Sequence, residues 1–472
     1  MYPGRAHRVE GRCAATREPE PVNVSTSKRV PENDSRTPDV PSNAHSRDAP
    51  SKKSPLGRFG RLPELAGPGF LPLGLFARLP LAMLTIGALA LVQAASQSYA
   101  IGGYAAGAVG VGSAIGAPVL GFLADRSGQR PVLLIAAMAN TLAIAGLIAA
   151  TYLVPDFSTP SLLLILAAAL IMGGTCPQVG PLARVRWMAL AGKSPSPGDL
   201  DTAMSYESTA DELTFVMGPA LVGLLASAIS PWLPLALAAL MTITLVSAFA
   251  VHRTHYAVVP SRKIVAAHHL PAPSHRTKAA DWWLVSIPVL GMVCMGTFFG
   301  GTQTALFAFA GAGSGTASVG GLLYAAMGLS SAAAALSVAY WPAKFRHPAR
   351  WLASAAAMAA LTLLLFLPET TAPMLIALFA LGVSVGPTMV TIFNIGGKVA
   401  PENRLGTVMT MLASGIVAGT AIGSAIAGSL AESTGYELAF LVSTAAATGL
   451  LLLGLLTAVV VEPRVARRTQ RS

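Results

Sequence analysis

Between residues 73 and 461 the chain divides into twelve apolar stretches, and this pattern constrains its fold more than any other feature. The stretches lie near 73–94, 100–123, 131–153, 161–182, 204–228, 232–251, 283–305, 317–340, 351–367, 373–395, 405–430 and 437–461. Most approach the roughly 20 residues that an α-helix needs to cross a bilayer core. Pro, Gly or a charge marks nearly every boundary, as expected where a helix must stop. In lipid each segment must satisfy its own backbone hydrogen bonds, so the pattern predicts an all-α membrane protein with 12 transmembrane helices. Charged residues make up only 11% of the chain, against about 25% in soluble domains. That excludes an ordinary cytosolic enzyme and a disordered protein.

Basic residues set the expected orientation. With the N-terminal tail placed in the cytoplasm, the inner loops hold Arg126 and Arg130; Arg184, Arg186 and Lys193; Arg253, Arg262, Lys263, Arg276 and Lys278; Lys344, Arg346 and Arg350; and Lys398 and Arg404. The outer loops hold only the acids Asp156, Glu369 and Glu432. So one-sided a distribution predicts a multi-pass plasma-membrane protein with both termini cytoplasmic. The net charge of +11 is concentrated at the chain ends and in these loops. No basic stripe with stacking aromatics is present, so no nucleic-acid partner is expected.

The expected domains are a disordered tail over 1–69, a six-helix bundle over 70–252, a cytoplasmic linker over 253–281, a second six-helix bundle over 282–462 and a basic tail over 463–472. Residues 1–60 are too polar to bury a core. The linker carries His252, His255, His268, His269 and His275 at irregular spacing, and no metal site is expected. Cys13, Cys176 and Cys294 are widely separated, and the last two lie in apolar stretches, which suits small buried hydrophobes. The halves echo each other. A shift of 205 residues superposes Met204, Gly218 and Gly223 on Met409, Gly423 and Gly428; a shift of 220 superposes Arg126 and Arg130 on Arg346 and Arg350.

The loop between the second and third stretches reads Gly121-Phe122-Leu123-Ala124-Asp125-Arg126-Ser127-Gly128-Gln129-Arg130. It resembles the signature loop of the major facilitator superfamily and occupies the same place in the chain. The resemblance covers about residues 70–462. It implies two six-helix bundles that rock about a midplane site, and a cytoplasmic gate formed by Gly121, Asp125, Arg126, Gly128 and Arg130. Asp125 can face the N-terminus of the eleventh helix, and the two arginines can pair with carboxylates on the rim. Pro131 stands where the family has a further basic residue. The second-half counterpart, Tyr340 to Arg346, lacks the Asp and the glycines, so a one-sided gate is expected.

The fifth stretch carries Glu207, Asp211 and Glu212. Glu207 and Asp211 share a helical face, with Glu212 about 100° away. For a helix beginning near Ala203, Asp211 lies roughly 12 Å along it. Ionisable groups at that depth are costly and mark ion or substrate paths. Asp211 and Glu212 are therefore the first proton-coupling candidates and Glu207 the second. The alternative is structural pairing with Arg184, Arg186 or Arg78. In the second half, Ile416 and Val417 replace the acids.

Gly218-Pro219 to Gly223 partly resembles the antiporter signature of drug-efflux members, without its upstream glycines. The fourth-helix arginine of many proton-coupled members is absent from 162–180. By resemblance, the first, fourth, seventh and tenth helices line the cavity. Candidates there are Gln93, Thr175, Gln178, Thr297, Phe298, Gln303, Thr388, Thr391 and Asn394. Apart from Arg78 these helices show no basic residue, which favours an apolar, neutral or cationic substrate. The expectation is a monomeric secondary transporter in a lipid bilayer, with no enzyme activity and no cofactor. A proton would drive export of a small apolar or amphipathic compound. Symport uptake is the alternative; a receptor or membrane enzyme is the reading from another class.

Overall fold

The computed structural model describes residues 57–154, 157–194, 196, 198–262, 279–313, 317–342 and 344–461. Cys13, His268, His269, His275, most of the N-terminal tail and the tail over 463–472 lie outside them. Among the described residues 12 helices are long and apolar enough to cross a membrane. They are α1 (Phe70–Ser96), α2 (Ile101–Ser127), α3 (Gln129–Leu153), α4 (Thr159–Ala191), α5 (Asp199–Ala228), α6 (Leu233–Val251), α7 (Trp282–Ala312), α8 (Val319–Tyr340), α9 (His347–Phe366), α10 (Thr371–Val399), α11 (Leu405–Thr434) and α12 (Tyr436–Val459). A 3-10 turn, Gly57–Gly60, and a short helix, Arg61–Ala66, precede α1.

Each expected apolar stretch coincides with one helix, and the differences lie at the ends. The fourth stretch continues past its expected end at 182 to Ala191. It breaks between Thr159–Gly174 and Val179–Ala191, where Pro177 cannot continue the helical hydrogen bonding. Arg184 and Arg186, counted above as loop residues, therefore sit on a membrane helix, and neither is exposed to solvent. Arg350 of α9 is buried as well. The fifth helix starts at Asp199 rather than Ala203, so Asp211 lies about 18 Å along it. Among the described residues the remaining loop cations still gather at one end, here called the basic end.

The two halves pack by the same rule. In the first, α1 contacts α2, α5 and α6, α2 contacts α4, and α3 contacts α4 and α6; in the second, α7 contacts α8, α11 and α12, α8 contacts α10, and α9 contacts α10 and α12. The result is two bundles of six. They meet where α2 packs on α11 and α5 on α8, with further contacts between α4 and α11 and between α5 and α10. Small residues set the close approaches inside each bundle. A Cβ at Gly116 would collide with the α4 backbone at Gly174, and one at Gly419 with the α7 backbone at Val293. Outward faces carry large apolar side chains such as Ile135 (70% exposed) and Leu142 (66%), a surface suited to lipid.

Candidate functional site

An ion-pair cluster lies inside the first bundle, built on three helices. Arg78 occupies the break of α1 between Phe70–Ala77 and Leu79–Ser96, where its Nε donates to the Gly74 carbonyl at 2.9 Å. Its Nη2 donates to Glu207 Oε2 at 2.6 Å and its Nη1 to Asp211 Oδ1 at 2.8 Å. Arg184 Nη2 donates to Asp211 Oδ2 at 2.7 Å, and Trp187 Nε1 to Glu207 Oε1 at 2.8 Å. Two guanidinium groups thus balance two carboxylates, and every carboxylate oxygen has a charged or aromatic N–H partner. Charge-assisted bonds of this kind are short and strong, and compensate for the burial of the charges. The Arg184 guanidinium also stacks on Phe393 of α10, 3.7 Å from the ring centre, while its Nε and Nη1 have no hydrogen-bond partner. The cluster belongs to the first bundle but touches the second through that ring.

Glu212 stands apart. It is the next residue on α5, and turning by 100° takes it out of the cluster to the α5–α8 seam. Ser331 of α8 donates to its Oε1 at 2.9 Å, and one turn away Thr209 donates to the Ala332 carbonyl at 3.1 Å. Glu212 is 5% exposed, and among the described residues it makes no ion pair. The structure thus separates the three candidates. Glu207 and Asp211 are neutralised within one bundle, whereas Glu212 bridges both bundles.

Two further contacts close the basic end. Asp125, at the end of α2, caps the start of α11. The backbone N–H groups of Gly406 and Thr407 donate to it at 2.8 and 2.7 Å, and the Thr407 hydroxyl donates at 2.7 Å. A Cβ at Gly121, one turn earlier, would collide with Thr410 of α11, so this glycine lets the two helices close. Gly128 ends α2 at φ 97°, a conformation that favours glycine. Arg126 and Arg130 are exposed and make no ion pair with a carboxylate among the described residues.

The second contact was not anticipated. Asp201, in the first turn of α5, pairs with Arg350 Nη1 of α9 at 3.0 Å and with His347 Nε2 at 3.4 Å. The end is therefore fastened on both sides, not one. A third crossing comes from the segment before α1. Arg58 donates to the Ala339 carbonyl at 2.5 Å, and Phe59 meets the Tyr340 ring edge-on at 6.1 Å. Residues 57–66 therefore strap the first bundle to the end of α8.

The family is decided by the sequence profile described as Major Facilitator Superfamily, which matches residues 70–412 and 316–472. The chain belongs to the major facilitator superfamily. It is thus a secondary transporter in fold and family, a multi-pass membrane protein with a small-molecule substrate. Comparison with curated protein sequences finds no match. Among solved structures it is similar to the human organic anion transporter MFSD10 (TETRAN), at 19% identity and a TM-score of 0.58, over 82% of this chain and 98% of that one. It is also similar to a bacterial homologue of the iron transporter ferroportin in an outward-facing state, at 14% identity and a TM-score of 0.59, over 82% of this chain and 97% of that one.

The nine cavity candidates differ in their surroundings. Gln178, Phe298, Thr388, Thr391 and Asn394 are buried. Thr388 and Thr391 donate to carbonyls of their own helix, at Ser384 and Pro387. Thr175 faces α3, where Asn140 Nδ2 reaches its hydroxyl at 3.3 Å. Thr297 lies on the α7–α11 contact inside the second bundle. Gln93 and Gln303 are half-buried. Asn394 is the exception in kind, because neither atom of its buried amide has a partner. It follows Phe393, the ring beneath Arg184.

Proposed function

We propose that this superfamily member exports a small amphipathic compound in exchange for protons, with the basic end and both termini on the cytoplasmic side. The observation that carries the proton assignment is Glu212, a buried carboxyl without a cation, placed on the seam between the two bundles. A charged carboxylate at that depth is costly, and protonation removes the charge. Loading a proton from one side and releasing it to the other then ties protonation to the rocking of α5 against α8. The closed basic end corresponds to the part of the cycle that faces outward, where a proton enters.

The buried guanidinium groups alter the substrate reading. The sequence-based preference for an apolar or cationic compound rested on the absence of cations from the cavity helices, and Arg184 overturns that premise. Its unpartnered Nε and Nη1 beside Phe393 and Asn394 suit an amphipathic compound with an anionic group, the second reading. The structural neighbour that transports organic anions carries the fold alone.

Flux into proteoliposomes tests both readings. A panel of neutral, cationic and anionic amphiphiles is measured with and without an imposed pH gradient. Gradient-driven movement toward the side that supplies protons supports exchange, and movement in the opposite direction establishes symport. Selection of the anionic members supports the role of Arg184.

A further inference from the structure

A cleft of about 420 Å3 opens at the basic end, away from the seam between the bundles. It lies between the short helix Arg61–Ala66, the last turn of α4 and the 3-10 turn Arg253–Ala257 that follows α6. Leu65, Ala66 and Leu190 give it an apolar wall, and Lys193, Arg253 and Thr254 supply polar groups. Among the described residues no carboxylate lines it. Glu64 points to solvent on the outer face of the short helix, and Asp199 is engaged by Ser194 at 2.5 Å and Arg61 at 3.5 Å.

Behind Thr254 lies a buried cation with no counterion among the described residues. Arg186 donates from Nη1 to Thr254 Oγ1 at 3.0 Å and to the Phe249 carbonyl at 2.8 Å, and from Nε to Gln129 Oε1 at 2.7 Å. Its plane stacks on the Phe249 ring at 4.0 Å, and Nη2 is buried with no partner. All of these partners are neutral, so its charge is left to act on the surroundings. Burial first, then the charges of Arg186, Arg253 and His255, hold the neighbouring His252 below the usual histidine range. Arg253 is placed by Gly67, which has φ 99°, and a Cβ there would come 2.9 Å from its Nη2.

We propose that this cleft binds the phosphate group of an amphipathic molecule, with Lys193 and Arg253 on the phosphate and the apolar wall on the adjoining chain. The field of Arg186 adds attraction without contact. The ends of α4 at Ala191 and of α6 at Val251 place the cleft at the depth of lipid headgroups. A phospholipid and a soluble phosphate share the recognising chemistry, and the test separates them. An occupied cleft would also hold the short helix in place, and with it the strap to α8.

The full-length protein is reconstituted in phosphatidylcholine nanodiscs with or without phosphatidylglycerol, and in detergent with or without inorganic phosphate. Unfolding midpoint and retained adducts in native mass spectrometry are read. Lys193→Gln with Arg253→Gln is compared with a control of equal charge loss at the same end, Arg262→Gln with Lys344→Gln. Phosphatidylglycerol should stabilise the wild type and the control, and bind the cleft variant about tenfold more weakly. Stabilisation by inorganic phosphate as well, again lost in the cleft variant, supports the site and extends it to soluble phosphates. Equal losses in the cleft variant and the control, or no effect of either ligand on the wild type, would overturn the proposal.

Discussion

The seam between α2 and α11 and the seam between α5 and α8 are counterparts under the internal repeat, yet they are fastened by opposite chemistry. At the first, the carboxylate of Asp125 comes from the α2 end and its partners are two backbone N–H groups and a hydroxyl at the start of α11. At the second, the carboxylate sits at the helix start itself, as Asp201 of α5, and the cation comes from α9. The 205-residue shift places Asp201 on Gly406, and the 220-residue shift places Arg350 on Arg130. The acid has thus changed sides while the junction has been kept. The second half lacks the signature Asp and is nevertheless fastened, through Asp201 and Arg350. Of the two seams, among the described residues, only α5–α8 holds an acid in mid-helix, Glu212.

Asp125→Ala should have the largest effect on this comparison. It removes three bonds to one charged acceptor, and hydrogen bonds to charged groups contribute about 1.5–3 kcal/mol. A shift of roughly 3 kcal/mol toward opening of the basic end is expected, read as increased labelling of cysteines introduced there. Thr407→Val removes the hydroxyl bond and keeps both backbone donors to Asp125, so about a third of the Asp125→Ala shift, about 1 kcal/mol, is expected by the same labelling. Arg350→Ala should shift the same equilibrium by about 1 kcal/mol, because His347 remains beside Asp201 and the pair is partly open to solvent. Exchanging the partners, Asp201→Arg with Arg350→Asp, should recover part of that loss in a double-mutant cycle; zero coupling would show that the second fastening contributes nothing. Phe59→Ala removes the edge-on contact with Tyr340 and should open the basic end by about 0.5 kcal/mol.

The number of spans, their places and the meeting of Asp125 with the start of α11 were legible because each depends on local pattern: apolar length, Gly and Pro punctuation, and charge asymmetry. What the sequence concealed depends on distant partners. Arg184 and Arg186 read as loop cations because hydropathy counts a charge as exposed, whereas here Asp211, Phe393, Phe249 and Gln129 bring them inside. The pairing of Glu207 and Asp211 with Arg78 was one of two open readings, and choosing between them needed the break in α1. The separation of Glu212 from Asp211 was legible as a 100° turn, but the neighbour on that face, Ser331, lies 119 residues away. The nine cavity candidates show the converse. Polar side chains on the right helices satisfy themselves on their own backbone, as Thr388 and Thr391 do.

The most direct test of the account is pH-gradient-driven flux in proteoliposomes carrying Glu212→Gln, with Glu212→Asp beside it. Glutamine mimics the protonated side chain, so the account predicts that substrate exchange persists while acceleration by the gradient is lost, and that aspartate retains part of it. Gradient-driven flux in Glu212→Gln equal to that of the wild type would contradict the account and remove Glu212 from the mechanism.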